Sequence, residues 1–263
     1  MPLYVVATPI GNLGDLAPRA LQVLTSARVV LCEDTRHTRK LFAAADCDAP
    51  ELWSCHAHNE MERSHQVLEM LSKGMDVAIV SDAGTPGISD PGGRVVEAVH
   101  EAGQDVKVVP GPSSVIAALS ASGFPASPFQ FIGFPPRKPG ALRARLLEAL
   151  KQESTFVLLE SGKRSGRLLS MLAELAPERE VVIGRELTKI HEQITRVSLA
   201  ETDFGPLRGE VVLVVGPGTA PPDEQKSEAS TEGLKAIAAT LAERWGCSRR
   251  DAYQRLLALE KDS

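Results

Sequence analysis

Val80-Ser-Asp-Ala-Gly-Thr-Pro-Gly-Ile-Ser-Asp-Pro-Gly-Gly93 decides how this chain is read. Ahead of it, Val77-Ala-Ile-Val80 is an apolar run that predicts a buried strand. Behind it, Arg94-Val-Val-Glu-Ala-Val-His-Glu-Ala102 has helical apolar spacing. A Gly- and Pro-rich loop therefore joins the carboxyl end of a strand to the start of a helix, where open α/β sheets bind ligands. Gly84, Gly87, Gly92 and Gly93 let the backbone approach a ligand closely, and Pro86 and Pro91 remove slack. Asp82 and Asp90 add carboxylates; Ser81, Thr85 and Ser89 add hydroxyls. An ordinary strand-to-helix connection takes about 2–6 residues, and this one is roughly twice that.

Two other segments have the same build. Leu3-Tyr-Val-Val-Ala7 predicts a strand, followed by the loop Thr8-Pro-Ile-Gly-Asn-Leu-Gly-Asp15 and a helix near Ala17. Val106-Lys-Val-Val109 predicts another, followed by Pro110-Gly-Pro-Ser-Ser114, where Ser113 or Ser114 can cap the next helix. Free amides at such a helix start favour an electron-rich ligand group. Three loops of this kind would line one rim of a parallel sheet. The Gly11-Asn-Leu-Gly14 spacing is not G-x-G-x-x-G, and no G-x-x-x-x-G-K-[ST] occurs. Both observations argue against a nicotinamide cofactor or a P-loop nucleotide.

Strands at 3–7, 28–33, 52–55, 77–80 and 106–109 alternate with helical stretches near 17–27, 36–45, 60–73, 93–102 and 114–122. That alternation predicts a mainly parallel amino-terminal sheet over residues 1–123. Beyond Gly123-Phe-Pro-Ala-Ser-Pro128, strands at 129–133, 155–160, 180–186, 193–199 and 210–215 surround helices near 140–152 and 165–176. The last three have no helix between them, so a mixed sheet is expected over 124–217. Residues 218–230 read as a linker and 231–263 as a small helical tail, with Ser248 a good cap for its second helix. The tail suits either an RNA contact or a docking hairpin.

The 263 residues are 43% hydrophobic, ordinary for a soluble α/β protein. Aromatics make up only 4%, which argues against an aromatic-stacking RNA platform. Cys32, Cys47, Cys55 and Cys247 form no C-x-x-C pair and suggest reduced thiols in a cytosolic setting. No apolar run has the length of a membrane span, and no secretory segment is evident. His56 and His58 lack a completing Cys/His set, so no metal is expected. Net charge is −5, yet basic residues cluster at Arg36, His37, Arg39 and Lys40; at Arg137, Lys138, Arg143 and Arg145; and at Lys163, Arg164 and Arg167. Sharing one face, they would bind phosphates. Pro135-Pro136-Arg137-Lys138-Pro139 is a stiff connector presenting two cations.

The words LYVVATPIGNLGD (Leu3–Asp15), CEDTRHTRKL (Cys32–Leu41), HNE (His58–Glu60), VSDAGTPGISDPG (Val80–Gly92), VPGPSSVIAALSASGFP (Val109–Pro125), FIGFPPRK (Phe131–Lys138), RELTKIHE (Arg185–Glu192) and RGEVVLVV (Arg208–Val215) run in this order. On them the chain resembles the tetrapyrrole-methylase-like class of S-adenosylmethionine methyltransferases. Within that class it resembles the RNA-directed branch, which methylates a ribose 2′-oxygen of a decoding-centre cytidine in the 16S RNA of the small ribosomal subunit. The resemblance implies a two-domain α/β fold, S-adenosylmethionine as cofactor and a cytoplasmic homodimer. It assigns the donor to Ile10 and Gly11, to Asp82, Ala83, Gly84 and Thr85, to Ser113, Ser114 and Val115, and to Leu159 and Gly184.

The acceptor hydroxyl must lose a proton as the new bond forms, so a base or polarising partner is expected. Glu33 or Asp34 can take that proton or orient Arg36, and Arg36 can hold a phosphate. His58, Asn59 and Glu60 follow the third strand. Arg185, Glu186 and Lys189 are expected to face them from the second half. Arg137, Lys138 and Arg143 complete the expected RNA contacts. Glu33 and Glu186 read equally well as partners in structural ion pairs. The branch tends to carry Ser-x-His-Arg after the strand ending at Glu160, whereas this chain has Ser161-Gly162-Lys163-Arg164. Two other readings stay open: a methyltransferase acting on a small tetrapyrrole, and a non-catalytic RNA-binding assembly protein.

Overall fold

The computed structural model describes residues 1–200, 204–205, 207–220, 237–242 and 246–254. Residues 1–220 form one compact unit and the remainder a second.

The first sheet contains β1 (Leu3–Val6), β2 (Val29–Cys32), β3 (Glu51–Ser54), β4 (Val77–Ile79) and β5 (Val106–Val109). Their order is β3-β2-β4-β1-β5, and every pairing is parallel. Parallel strands need crossovers, supplied by α1 (Pro18–Ser26), α2 (Thr35–Ala44), α3 (Glu60–Ser72) and α4 (Gly93–Glu101). Side chains alternate across the strands, so each strand feeds two cores. Leu3, Val29, Leu31, Val77 and Ile79 pack with Val67 and Leu71 of α3 and Val95 and Val99 of α4. Val6, Val30, Cys32, Ala78 and Val80 pack with Ala20 and Leu24 of α1 and Phe42 of α2. Covering both faces explains why β2 and β4 are apolar at every position. Fully burying each Val, Leu or Ile here contributes about 1.5–3 kcal/mol.

After α5 (Ser114–Ser122) comes the second sheet: β6 (Phe129–Gly133), β7 (Thr155–Ser161), β8 (Glu180–Arg185), β9 (Gln193–Ser198) and β10 (Glu210–Val215). Its order is β6-β7-β10-β8-β9. Only β6 and β7 run parallel, so the sheet is mixed. Phe156, Leu158, Leu213 and Val215 form one core with α6 (Pro139–Leu150) and α7 (Gly162–Leu175). Val157, Val182, Val212 and Val214 on the other face pack on Val115, Ala118 and Leu119 of α5 and on Ile10. Thus α5, which follows a first-sheet strand, covers the second sheet, and residues from both halves share that core.

Arg179, 1% exposed, fastens the end of β10. Its guanidinium donates to the carbonyls of Leu150 (2.9 Å), Gly216 (3.2 Å) and Gly218 (2.8 Å). The expected linker lies largely outside the described residues. In the tail, Ala238, Ala242 and Ala252 form a small core, and Ser248 Oγ accepts the Asp251 N–H at 3.1 Å. No helix among the described residues is long and apolar enough to cross a membrane.

Candidate active site

The loops after β1, β4 and β5 leave the same rim, and hydrogen bonds tie them together. Thr8 N–H donates to Gly84 O at 2.9 Å, and Gly84 N–H returns to Thr8 O at 3.1 Å. Thr8 Oγ1, 1% exposed, donates to Ser81 O at 3.2 Å, and Thr85 Oγ1 donates to Pro112 O at 3.3 Å. Gly84 sits at φ +83°, a left-handed conformation that favours glycine. Ser113, rather than Ser114, caps α5: its Oγ accepts the Ile116 N–H at 3.5 Å.

These loops open onto a cavity of about 280 Å³, closed by the second sheet. Ile10, Asp82, Ala83, Gly84, Thr85, Ser113, Ser114, Val115, Leu159 and Gly184 all line it. Gly11, the remaining donor candidate, instead meets the loop between β8 and β9. A Cβ there would lie 2.5 Å from Lys189 Cγ and 3.0 Å from Leu187 O. That loop is strained: Glu186 and Thr188 adopt φ +49° and +65°. The buried Thr188 Oγ1 has no partner. Strain of this kind costs about 1–3 kcal/mol per residue and clusters at functional sites.

Further residues of the quoted words line the cavity without a donor assignment, and Glu160 joins them from just outside those words. Ile88, Ser89 and Asp90 come from the β4 loop; Phe134, Glu160, Leu187 and Glu210–Val212 come from the second half. Burial, followed by the charge of Asp82, raises the Asp90 pKa above the ordinary carboxylate value.

The acceptor candidates separate into engaged and available groups. Asp34 caps α2: its Oδ1 accepts the Arg36 N–H at 2.8 Å. The same carboxylate grips the Arg36 guanidinium at 3.1 and 2.7 Å. Those hydrogen bonds hold its pKa well below the usual range. Asp34 N–H donates to Asp82 Oδ1 at 3.1 Å, joining the β2 loop to the cavity wall. Glu33 is exposed beside it. Partial desolvation, then the charges of Asp82 and Asp90, raises its pKa.

Glu60 and Asn59 serve the scaffold. Glu60 is 8% exposed, and its Oε1 accepts the Gly92 N–H at 2.6 Å, at the start of α4. Asn59 accepts from His56 N–H at 2.7 Å and donates to Ser54 O at 3.0 Å. His58 stays exposed.

Glu186 and Lys189 engage each other at 3.1 Å, and Lys189 also reaches Glu210 at 2.9 Å. The Glu210 N–H, then Lys189, lowers the Glu186 pKa. Arg185 is not where the sequence reading expects it. Strand alternation sends it to the opposite face from Gly184, where it lines a separate cavity with Ile183, Thr195 and Val197 and donates to Gln193 at 3.4 Å.

Arg164 of the third basic cluster touches the connector that leads into the second. Arg164 Nη2 donates to Pro135 O at 3.3 Å and pairs with the buried Glu160 at 3.0 Å. Arg145 pairs with Glu148. No group of side chains suited to a metal ion occurs among the described residues.

The lining suits a zwitterionic sulfonium nucleoside. Asp82 and Asp90 complement cationic centres, the α5 amino terminus complements a carboxylate, and Ile10, Val115, Leu159, Leu187 and Val212 supply apolar walls.

Residues 2–203 match the family described as Tetrapyrrole (Corrin/Porphyrin) Methylases. The chain is similar to a protein named Ribosomal RNA small subunit methyltransferase I from Vibrio cholerae. That relative is 46% identical over 220 residues, covering 81% of this chain and 76% of its own. Its namesake from Xylella fastidiosa is 44% identical over 243 residues, covering 90% of this chain and 87% of its own. A solved structure of the methyltransferase CobJ shares the fold, with a TM-score of 0.61 at 23% identity over 82% of this chain and 94% of that one. The chain belongs to the tetrapyrrole methylase family, in its ribosomal RNA small subunit methyltransferase I branch, and is an S-adenosylmethionine-dependent methyltransferase.

Proposed function

We propose that this enzyme methylates the ribose 2′-oxygen of a decoding-centre cytidine in 16S RNA, acting on the small ribosomal subunit as a cytoplasmic homodimer. The observation that carries the reading is the convergence of ten donor candidates on one cavity, with cations on the neighbouring connector. The names of the curated relatives support a ribosomal RNA acceptor.

S-adenosylmethionine, when bound, supplies a methyl group on a positively charged sulfur leaving group. Asp82 holds the donor's ammonium, and amides at Gly84 and Thr85 and at the start of α5 hold its carboxylate. Ile10, Val115 and Leu159 pack against its apolar parts and exclude water. Alignment for in-line transfer is the main catalytic contribution. Glu33 accepts the proton that leaves the 2′-hydroxyl as the oxygen–carbon bond forms and the carbon–sulfur bond breaks. Arg36, fixed by Asp34, contacts an RNA phosphate, and Arg137, Lys138 and Arg143 extend that contact. Lys189 and Glu186 hold the β8–β9 loop against Gly11.

The test is to incubate the protein with labelled S-adenosylmethionine and small subunits from a strain lacking the enzyme, then map the label. Incorporation at one cytidine supports the reading. No label in the RNA, with label taken up by a tetrapyrrole offered in a parallel incubation, overturns it.

A further inference from the structure

We propose that Phe134 and Ile88 form the apolar seat for the base of the nucleotide being methylated. The inference rests on the RNA acceptor proposed above and assigns its entry side, between the β4 loop and the connector after β6.

Phe134 is 60% exposed, the one exposed Phe, Tyr or Trp among the described residues. It lines the donor cavity from the second half, and Ile88, 51% exposed, lines it from the first. The two segments lie close together: a Cβ on Gly133 would be 3.6 Å from Ser89 Oγ. Two large apolar side chains left in water at a cavity mouth mark a surface that a ligand covers.

The seat is fixed in place. Arg164 holds the Pro135 carbonyl at 3.3 Å and is itself anchored by Glu160 at 3.0 Å. Pro135 and Pro136 stiffen the backbone that follows Phe134. A preorganised ring loses little freedom when a base stacks on it.

The neighbouring chemistry fits a nucleotide. Arg137 and Lys138 follow on the same connector, ready for flanking phosphates, while the half-buried Asp82 and Asp90 line the cavity wall. A ribose hydroxyl held within folded RNA reaches such a cavity once its nucleotide turns out of the stack. Bases released that way are held on aromatic side chains. A single nucleotide needs a single ring, so the low aromatic content of the chain is no obstacle. Stacking tolerates any base, and selection of the target nucleotide then falls to the surrounding RNA.

The experiment uses the full chain with Phe134→Ala, Phe134→Tyr and Ile88→Ala. Donor affinity is measured by calorimetry, folding by thermal melts, and kcat and KM by methyl transfer to small subunits. The expected result for Phe134→Ala is unchanged melting, donor affinity within about twofold, and a loss of roughly ten- to a hundredfold in kcat/KM for RNA. Tyrosine restores most of that loss, and Ile88→Ala shows a smaller one. Wild-type kcat/KM in Phe134→Ala overturns the inference. So does a parallel loss of donor affinity, which would place the donor's own adenine on the ring. A wild-type protein inactive on ribosomal RNA overturns the function reading and this inference with it. An active wild type beside an unimpaired Phe134→Ala overturns this inference alone.

Discussion

Replacing Glu60 with Ala separates two roles for the His58-Asn59-Glu60 segment. The sequence suggests a hand on RNA, whereas the structure buries the Glu60 side chain and aims it at the Gly92 N–H, 2.6 Å away. A hydrogen bond from a backbone amide to a carboxylate contributes about 1.5–3 kcal/mol. Only a glycine fits at position 92. Its φ is +120°, and a Cβ there would lie 2.6 Å from Ile79 Cδ1. Glu60→Ala should therefore lower stability by about 1.5–3 kcal/mol. For a unit of this size that shifts Tm by roughly 3–12 °C. The Gly92 bond also closes the loop that carries Asp82, Gly84 and Asp90. Donor affinity should fall about threefold to thirtyfold, by partial loss of a preorganised site. Glu60→Gln, which keeps an acceptor oxygen, should recover most of both effects. The assays are thermal melts and calorimetric titration with S-adenosylmethionine. Unchanged melting and donor affinity beside a selective loss of RNA binding would refute the brace and restore the RNA-contact reading.

Asp82→Ala should weaken donor binding about ten- to a hundredfold in calorimetry while the protein stays folded. Arg137→Glu with Lys138→Glu should leave donor affinity intact and cripple subunit methylation; filter binding should show a salt slope flatter by about one unit per lost phosphate contact. Arg179→Met should lower stability by about 3–5 kcal/mol in urea titrations, because five carbonyls lose a donor. Asp90 has a folded pKa above its unfolded one, so the folded state binds its proton more tightly. Stability from that group is present below the unfolded pKa and is lost as pH rises through the folded one. Melts should thus show Asp90→Asn gaining on wild type across that window and then holding a constant lead.

The loops that meet at the cavity are legible in the sequence because their requirements lie in backbone chemistry. Glycines, prolines and short polar residues at strand ends announce a loop that must approach a ligand, and three such loops lie in one motif each. The second half was harder to read, because strands contribute single residues whose direction depends on register. Gly184 and Arg185 are adjacent in sequence, yet period-two alternation puts one on the cavity and the other behind the sheet. Glu60 did carry a signal: with Ser64, Val67 and Leu71 it recurs at helical spacing on the buried stripe of α3. Phe134, Glu160 and Glu210 reach the cavity only through the packing of two sheets around α5, which no local pattern encodes.

The most direct test of the central claim is the chemical position of the transferred methyl group. Small-subunit RNA treated with the enzyme is digested to nucleosides for mass spectrometry, and a second portion is cleaved with alkali. Ribose transfer predicts the added mass on the sugar of one cytidine. It also predicts one linkage resistant to alkali, since a methylated 2′-oxygen cannot attack its own phosphate. A methyl group on the free base, with every linkage still cleaved, would contradict the account.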